Sequence, residues 1–373
     1  MDRYRDQLCV LAETAAERSG TAFSSLFIGG GNPGIFRADR LAAVLSSATA
    51  EGMPDEITIE CNPEDVSADF IALFENGYAN RLSMGIQSLH DTHLATIGRR
   101  STVSDRKTRS HLAGMLRNRE GWQLNIDLIT GIPGQTISDF SRDLDTIIDE
   151  FAPEHLSVYE LTLEEGTRLH AERASLSGKD VSDTTPHLAD IWECIADRGY
   201  RQYEVSNFRR EGAVDYTCRH NLHYWQLLPY LGIGPGAAST LYRDNRMLRI
   251  EIAPDLDAFM RKGNELTTGI GSLEVLDMRA LITEKLIMGL RLCAGISCPV
   301  FSRMFGVSIS DLFPDTLAAH TAAGNLEYRD GRLSCSAAGL LILDTILVDF
   351  LLELDKREVP EEKACDLTAE FML

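Results

Sequence analysis

Along the first 160 positions the apolar residues follow two alternating rhythms. Short runs behave as strands do: Phe23 to Ile28, Glu56-Ile-Thr-Ile-Glu60, Asn80 to Ile86, Gln123 to Ile129 and His155 to Thr162. Between them, apolar residues recur at helical spacing near 8–18, 38–47, 91–97, 104–117 and 138–150. Ser67 opens a further helix as an N-cap and Gly77 closes it, while Ser138 reads as the cap of the helix running to about Glu150. Strand and helix alternating with short turns predict an α/β fold with a parallel sheet, barrel-like or doubly wound. Ligands of such sheets sit just beyond the strand ends, where glycine and polar residues collect in this chain.

The rhythm then loosens. Residues 163–270 predict a helix near 183–197, an extended segment from Tyr203 to Phe208 and a tight glycine loop at Gly232-Ile-Gly-Pro-Gly-Ala237. After about 275 the pattern is helical, over 277–291, 298–305 and near 311–322. A short hairpin follows from Leu326 to Ser334, turning at Asp330-Gly331, and then an apolar helix from Leu340 to Leu352. Helices plus a small hairpin predict a winged-helix-like C-terminal domain. The domain boundaries expected are 1–165, 166–270 and 271–373.

Composition narrows this picture. Hydrophobic residues make up 44% of 373, enough for a large core. No apolar run approaches the ~20 residues of a membrane-spanning helix, and Met-Asp-Arg-Tyr-Arg-Asp-Gln at the start is not followed by an apolar signal segment. The expectation is a cytoplasmic protein, not integral to a membrane. A net charge of −20 repels polyanions, so nucleic acid is excluded as a partner and the winged-helix-like region is read as packing or docking on protein. The eight cysteines have the spacing of neither a disulfide framework, a zinc finger nor a cluster loop.

Three constellations carry candidate chemistry. Three consecutive glycines in Gly29-Gly-Gly-Asn-Pro-Gly34 imply a ligand lying against bare backbone, or a tight strand-to-helix turn. No Gly-Lys-Ser/Thr completes a phosphate loop. Glu60, Gln87, Arg99 and Asp127 recur at or just past strand ends and together suit a small zwitterion bearing a ribose. In Arg219-His-Asn-Leu-His-Tyr-Trp225, His220 beside aromatic residues offers a haem ligand. Zinc held by Cys218, His220 and His223 is a formal alternative, and a capping histidine among core aromatics is the reading the residues alone favour.

In order along the chain, these motifs resemble the HemN/HemW family of radical S-adenosylmethionine (SAM) proteins, and are most similar to its haem-chaperone branch. The resemblance covers roughly residues 21–250 and, more weakly, the tail. Gly29-Gly-Gly-Asn-Pro33 resembles Gly-Gly-Gly-Thr-Pro, and Asn125-Ile-Asp-Leu-Ile-Thr-Gly-Ile-Pro-Gly-Gln-Thr136 resembles Asn-Ile-Asp-Leu-Ile-x-Gly-Leu-Pro-x-Gln-Thr. Arg219 to Trp225 resembles Arg-His-Asn-x-x-Tyr-Trp. The resemblance implies a partial (β/α)6 barrel whose first strand is missing here. It implies that Gly30, Gly31 and Asn32 lie along the methionine end of SAM while Glu60, Gln87, Arg99 and Asp127 meet its polar groups. His220 would ligate haem iron, with Asn221, Tyr224 and Trp225 shaping the pocket. No catalytic residue is implied.

The family's [4Fe-4S] cluster is held by Cys-x3-Cys-x2-Cys, which this sequence does not contain, and Cys9 in its predicted helix cannot stand in for three loop thiolates. The expectation is a start placed downstream of that loop, with a degenerate protein as the competing reading. Either way the strand at 23–28 has one edge bared. The function implied is haem chaperoning, with haem passed to acceptor proteins such as respiratory enzymes. The alternatives are an oxygen-independent coproporphyrinogen III dehydrogenase, which the missing cysteines disfavour, and a remnant without cofactor. Homodimer formation stays open.

Overall fold

The computed structural model describes residues 1–163, 165–166, 169–171, 185–243, 246–261, 266 and 269–359. They fall into two compact units. One comprises Ser24–Leu45 with Pro54–Thr217, the other Met1–Phe23, Ser46–Met53 and Cys218–Leu373. No described helix is long and apolar enough to cross a membrane.

The first unit is built on a seven-stranded sheet. Strands β1 (Ser25–Ile28), β2 (Glu56–Cys61), β3 (Arg81–Gln87), β4 (Gln123–Thr130) and β5 (His155–Glu160) run parallel in that order. The hairpin of β6 (Tyr200–Glu204) and β7 (Asn207–Arg210) is added antiparallel to β5, giving the order β1-β2-β3-β4-β5-β7-β6. Tyr203 to Phe208 is therefore two strands and a turn, not one extended segment; Glu204 accepts from the Asn207 amide across that turn. Among the described residues β1 pairs only with β2 and forms one edge of the sheet.

Alternation sorts each parallel strand into two faces. Ile57 and Ile59, Leu82, Met84 and Ile86, Leu124, Ile126 and Leu128, and Leu156 and Val158 are buried on one side. The helices α2 (Ala38–Ala48), α3 (Ala68–Glu75), α4 (Asp91–Thr96), α5 (Arg106–Leu116), α6 (Ile137–Phe151) and α7 (Thr185–Ala196) connect the strands. They bring buried residues such as Phe70, Phe74, Leu116, Phe140 and Phe151. Each such side chain stabilises the fold by about 2 kcal/mol through burial alone. Ser67 caps α3 as its sequence predicts, accepting from Phe70 N at 3.2 Å. The cap of α6 is not Ser138 but Thr136. Its hydroxyl accepts from Asp139 N at 3.1 Å while the Asp139 carboxylate accepts from Thr136 N at 3.0 Å, a reciprocal capping box.

The second unit begins with α1 (Asp2–Ser19), closed by Gly20 in the left-handed conformation with its N–H on the Ala16 carbonyl. It contains α8 (Arg219–Trp225) and an antiparallel sheet of β8 (Ala238–Arg243), β9 (Arg246–Ile252) and β10 (Ile270–Leu276), with α9 (Leu256–Arg261) between β9 and β10. That sheet lies in the stretch whose pattern reads as irregular. The C-terminal part holds α10 (Met278–Arg291), β11 (Ile296–Ser297), α11 (Cys298–Phe305), α12 (Ile309–Leu312) and α13 (Pro314–Ala322). The hairpin β12 (Leu326–Arg329) and β13 (Arg332–Cys335), then α14 (Ala337–Leu341) and α15 (Leu343–Leu354), complete it. The helices predicted near 311–322 and over 340–352 are each split, at Phe313-Pro314 and at Ile342. Asp330 and Gly331 both take positive φ at the hairpin turn, as their sequence predicts.

Candidate functional site

The face of the sheet opposite the apolar one is polar. Glu60 lies on β2; Arg81, Ser83, Gly85 and Gln87 on β3; Asn125 and Asp127 on β4; His155, Ser157 and Tyr159 on β5. Register sets Glu60 beside Ser83, Gly85 beside Asp127 and Asp127 beside Ser157. Polar residues at alternate positions on neighbouring parallel strands build a shared polar surface without disturbing the core behind it.

The glycine loop closes the β1 end of this surface. Gly30 and Gly31 take φ of 79° and 87°, a region side chains avoid. A Cβ on Gly29 would lie 2.5 Å from Phe27 Cε1 and 2.7 Å from Glu60 Oε2. Gly30 N–H donates to Glu60 Oε2 at 3.3 Å. Asn32 secures the loop from below: its Oδ1 accepts from Gly34 N at 3.2 Å and Asn62 N at 3.3 Å, and its Nδ2 donates to Asp65 at 2.6 Å.

At the end of β3 the register shifts between Gly85 and Gln87, and Gln87 is buried with φ 69°. A non-glycine residue held there marks a locally over-determined backbone. Gln87 Nε2 and Arg99 Nη1 both lean over Gly85, 2.9 and 3.6 Å from the position a Cβ would take. The structure thus brings Gly30, Glu60, Gln87, Arg99 and Asp127 to one end of one sheet.

Its two carboxyls are electrostatically loaded. Burial raises the Glu60 pKa, the Asp127 charge adds to the rise, and the Gly30 N–H opposes it. Asp127 keeps some exposed surface but is densely surrounded, so desolvation raises its pKa against donors from Asn125, Ser157 and Ser83 and the charge of Arg81. Such a pair favours a ligand bearing positive charge and hydroxyl donors.

Sequence reasoning overlooked the residues beneath these. Ser83, Asn125, His155 and Ser157 are each buried, and Tyr203 OH bonds His155 Nε2 at 2.9 Å. Their alternation with apolar neighbours was the available signal.

The second constellation is on α8, in the other unit. Positions 220 and 224 share a helix face, and His220 Nε2 meets Tyr224 OH at 2.8 Å, the rings edge to face at 4.9 Å. Tyr224 in turn packs edge-on against Tyr230. Trp225 lies about 100° around the helix from Tyr224 and stacks under the Arg291 guanidinium of α10 at 5.2 Å. The ring centroids of His220 and His223 are 6.4 Å apart. His220, Asn221, Tyr224 and Trp225 are all half-buried, whereas Cys218 is fully buried. An open apolar groove of about 510 Å³ among Ser310, Pro314, Leu317, Thr321 and Tyr328 includes none of these residues.

Comparison with known proteins gives this arrangement its family. Residues 10–147 match the Radical SAM superfamily and residues 276–342 the HemN C-terminal domain. The chain is 33% identical to the mitochondrial radical S-adenosyl methionine domain-containing protein 1 of Bos taurus, over 94% of this chain and 80% of that protein. The chain belongs to the HemN/HemW family of radical SAM proteins. The heme chaperone HemW of Bacillus subtilis is 28% identical over 92% of this chain and 89% of its own length. That of Escherichia coli is 34% identical over 64% and 62%. The structure of Escherichia coli coproporphyrinogen III oxidase (HemN) superposes with a TM-score of 0.72 at 20% identity, covering 94% of this chain and 82% of that one, and so shares its fold.

The family implies SAM and a [4Fe-4S] cluster. The glycine cradle and paired carboxyls fit SAM. Among the described residues no group of three metal-ligating side chains converges, and the described cysteines sit on separate elements or are buried in them. Cys365 lies outside the described residues. The residues here do not fit a cluster.

Proposed function

We propose that this protein is a haem carrier of the HemW type, taking haem on α8 through His220 and SAM at the polar end of the seven-stranded sheet. One observation carries the haem reading. His220 stands on a half-buried helix face with Nε2 held by a tyrosine hydroxyl, a partner it can exchange for iron. The bacterial relatives named heme chaperones support it. Tyr224 and Asn221 flank the imidazole on the helix, and Trp225, pinned by Arg291, fixes the orientation of α8 against α10. Haem is cargo in this reading, passed on to acceptor proteins.

For SAM, Gly30, Gly31 and Asn32 would follow the methionine end. Arg99 would take its carboxylate, and Glu60, Gln87 and Asp127 its ammonium and hydroxyls. The residues at the sheet end would bind and orient SAM only. No catalytic residue is assigned.

Haem titration of the wild-type chain and His220→Ala tests the proposal. A Soret shift that saturates in wild type and is lost in the variant is the expected result. Equal shifts in both would remove the haem reading.

A further inference from the structure

Beneath the carboxyls, the polar face carries a chain of hydrogen bonds that runs across four strands. Ser83, Asn125 and His155 lie level with one another in register on β3, β4 and β5, and Tyr203 reaches the same level from β6. The bonds have one polarity. Asn125 Nδ2 donates to Asp127 Oδ1 at 2.7 Å and to Ser83 Oγ at 2.8 Å, so both of its N–H groups are used. Its Oδ1 therefore faces β5, where it lies 3.1 Å from Ser157 Oγ, whose one proton it shares with Asp127, and meets His155 Nδ1 at 2.6 Å. An amide oxygen cannot donate, so Nδ1 carries the proton. Complete burial, reinforced by the charge of Arg81, holds the His155 pKa well below its ordinary value. The ring is neutral and Nε2 is bare, so Nε2 accepts from Tyr203 OH at 2.9 Å. The hairpin bearing Tyr203 is itself fastened to β5, through Val158 N on the Ser206 carbonyl at 2.7 Å.

We propose that Tyr203 and His155 are positioning residues: acting through Asn125, they aim and hold the Asp127 carboxyl, so that the β6–β7 hairpin sets how tightly the sheet end grips its ligand. The ligand class is a small molecule with a cationic centre and adjacent hydroxyls. For that ligand the inference rests on the SAM reading; for the carboxylate it stands on the hydrogen bonds alone. Removing the Tyr203 hydroxyl leaves the buried His155 Nε2 without its donor at 2.9 Å and frees the ring to shift. The Asn125 amide that His155 Nδ1 holds at 2.6 Å then loosens, and Asp127 loses the fixed aim of its shortest donor. A carboxylate deprived of a donor titrates higher. The charged and titratable groups facing Asp127 are Glu60 from β2, Arg81 from β3 and Tyr159 from β5.

The test uses the full chain as wild type, Tyr203→Phe, His155→Leu and His155→Gln, with folding checked by circular dichroism and melting. Glutamine can donate to Asn125 and accept from Tyr203, so it is the conservative rescue. Carbon-13 NMR of labelled aspartate, assigned with Asp127→Asn, reads the carboxyl titration. Calorimetry with SAM across pH reads affinity. Tyr203→Phe and His155→Leu are expected to raise the Asp127 midpoint by about one pH unit and to weaken SAM about tenfold below that midpoint. His155→Gln is expected to stay near wild type. A Tyr203→Phe chain that titrates and binds as wild type does overturns the proposal. A raised midpoint in a set of proteins none of which binds SAM upholds the positioning role and overturns the SAM reading instead.

Discussion

At the scale of single residues, what decides the site is space and hydrogen-bond commitment. Gly29 has no room for a side chain, since a methyl would press on Phe27 and on the Glu60 carboxylate. Gly29→Ala is expected to displace Glu60, cost about 1–3 kcal/mol in a melting experiment, and weaken SAM binding measured by calorimetry. Tyr224 makes the opposite case. Its hydroxyl holds His220 Nε2, and in the haem reading it would compete there with iron. Tyr224→Phe keeps the ring and removes the competitor, so haem is expected to bind about two- to tenfold more tightly in a Soret titration. Weaker binding would mean that the hydroxyl helps to hold the ligand. Gly30, Glu60 and Gln87 were legible in the sequence because each stands at or just past a strand end with a polar or glycine signature, whereas Asp127 lies within β4 and Arg99 in the loop after α4, not at strand ends. Asn125 and His155 were passed over, although the alternation Asn125-Ile-Asp127 and His155-Leu-Ser157 already sets them on the face of Asp127. Tyr203 was not legible, because its contact depends on a hairpin folding back across β7.

At the scale of elements, the parallel strands could be read directly, since each carries one apolar and one polar face. The errors fall where two capping patterns compete or where a turn is short. Ser138 and Thr136 both suit a helix start, and the reciprocal bond with Asp139 selects Thr136. The break between α12 and α13 is set by Pro314, which opens α13 with Phe313 outside helical conformation, and it is reinforced from a distance. Glu353, on α15, accepts from Asp315 N at 3.2 Å and Thr316 N at 2.8 Å, capping the first turn of α13 from another helix, and pairs with Arg357 at 2.8 Å. Burial alone would raise its pKa. Arg357 and the Thr316 and Asp315 donors outweigh burial and hold it down at about 2. A value lowered in the folded state contributes stability that is full above the ordinary carboxylate range and is lost as pH falls from about 4.5 towards about 2. Glu353→Gln is expected to lose about 2 kcal/mol at neutral pH and to flatten the acid limb of the stability curve in denaturant titrations at stepped pH. An unchanged acid limb would remove Glu353 from this role.

At the scale of the whole molecule, charge is the dominant global property. A net charge of −20 opposes compaction, so the melting temperature is expected to rise as sodium chloride is raised from about 0.01 to about 0.15 M. A fall would mean that specific ion pairs, such as Arg109–Glu150 and Arg198–Asp145, outweigh the general repulsion. The α/β class and the helical C-terminal part were legible from periodicity, whereas the antiparallel sheet β8–β10 was not. Its exposed edge strand β10, Ile270–Leu276, reads as a mixed run because it has little buried face to impose alternation. The two candidate sites lie in different compact units, Asp127 in one and His220 in the other. They are accordingly open to separate tests. The most direct of these for the haem reading is the axial ligand of ferric haem on the reconstituted chain, read by electron paramagnetic resonance with nitrogen-15 histidine in wild type, His220→Ala and His223→Ala. A histidine nitrogen signal present in wild type and His223→Ala but absent in His220→Ala is the predicted result; the same signal surviving in His220→Ala would contradict it.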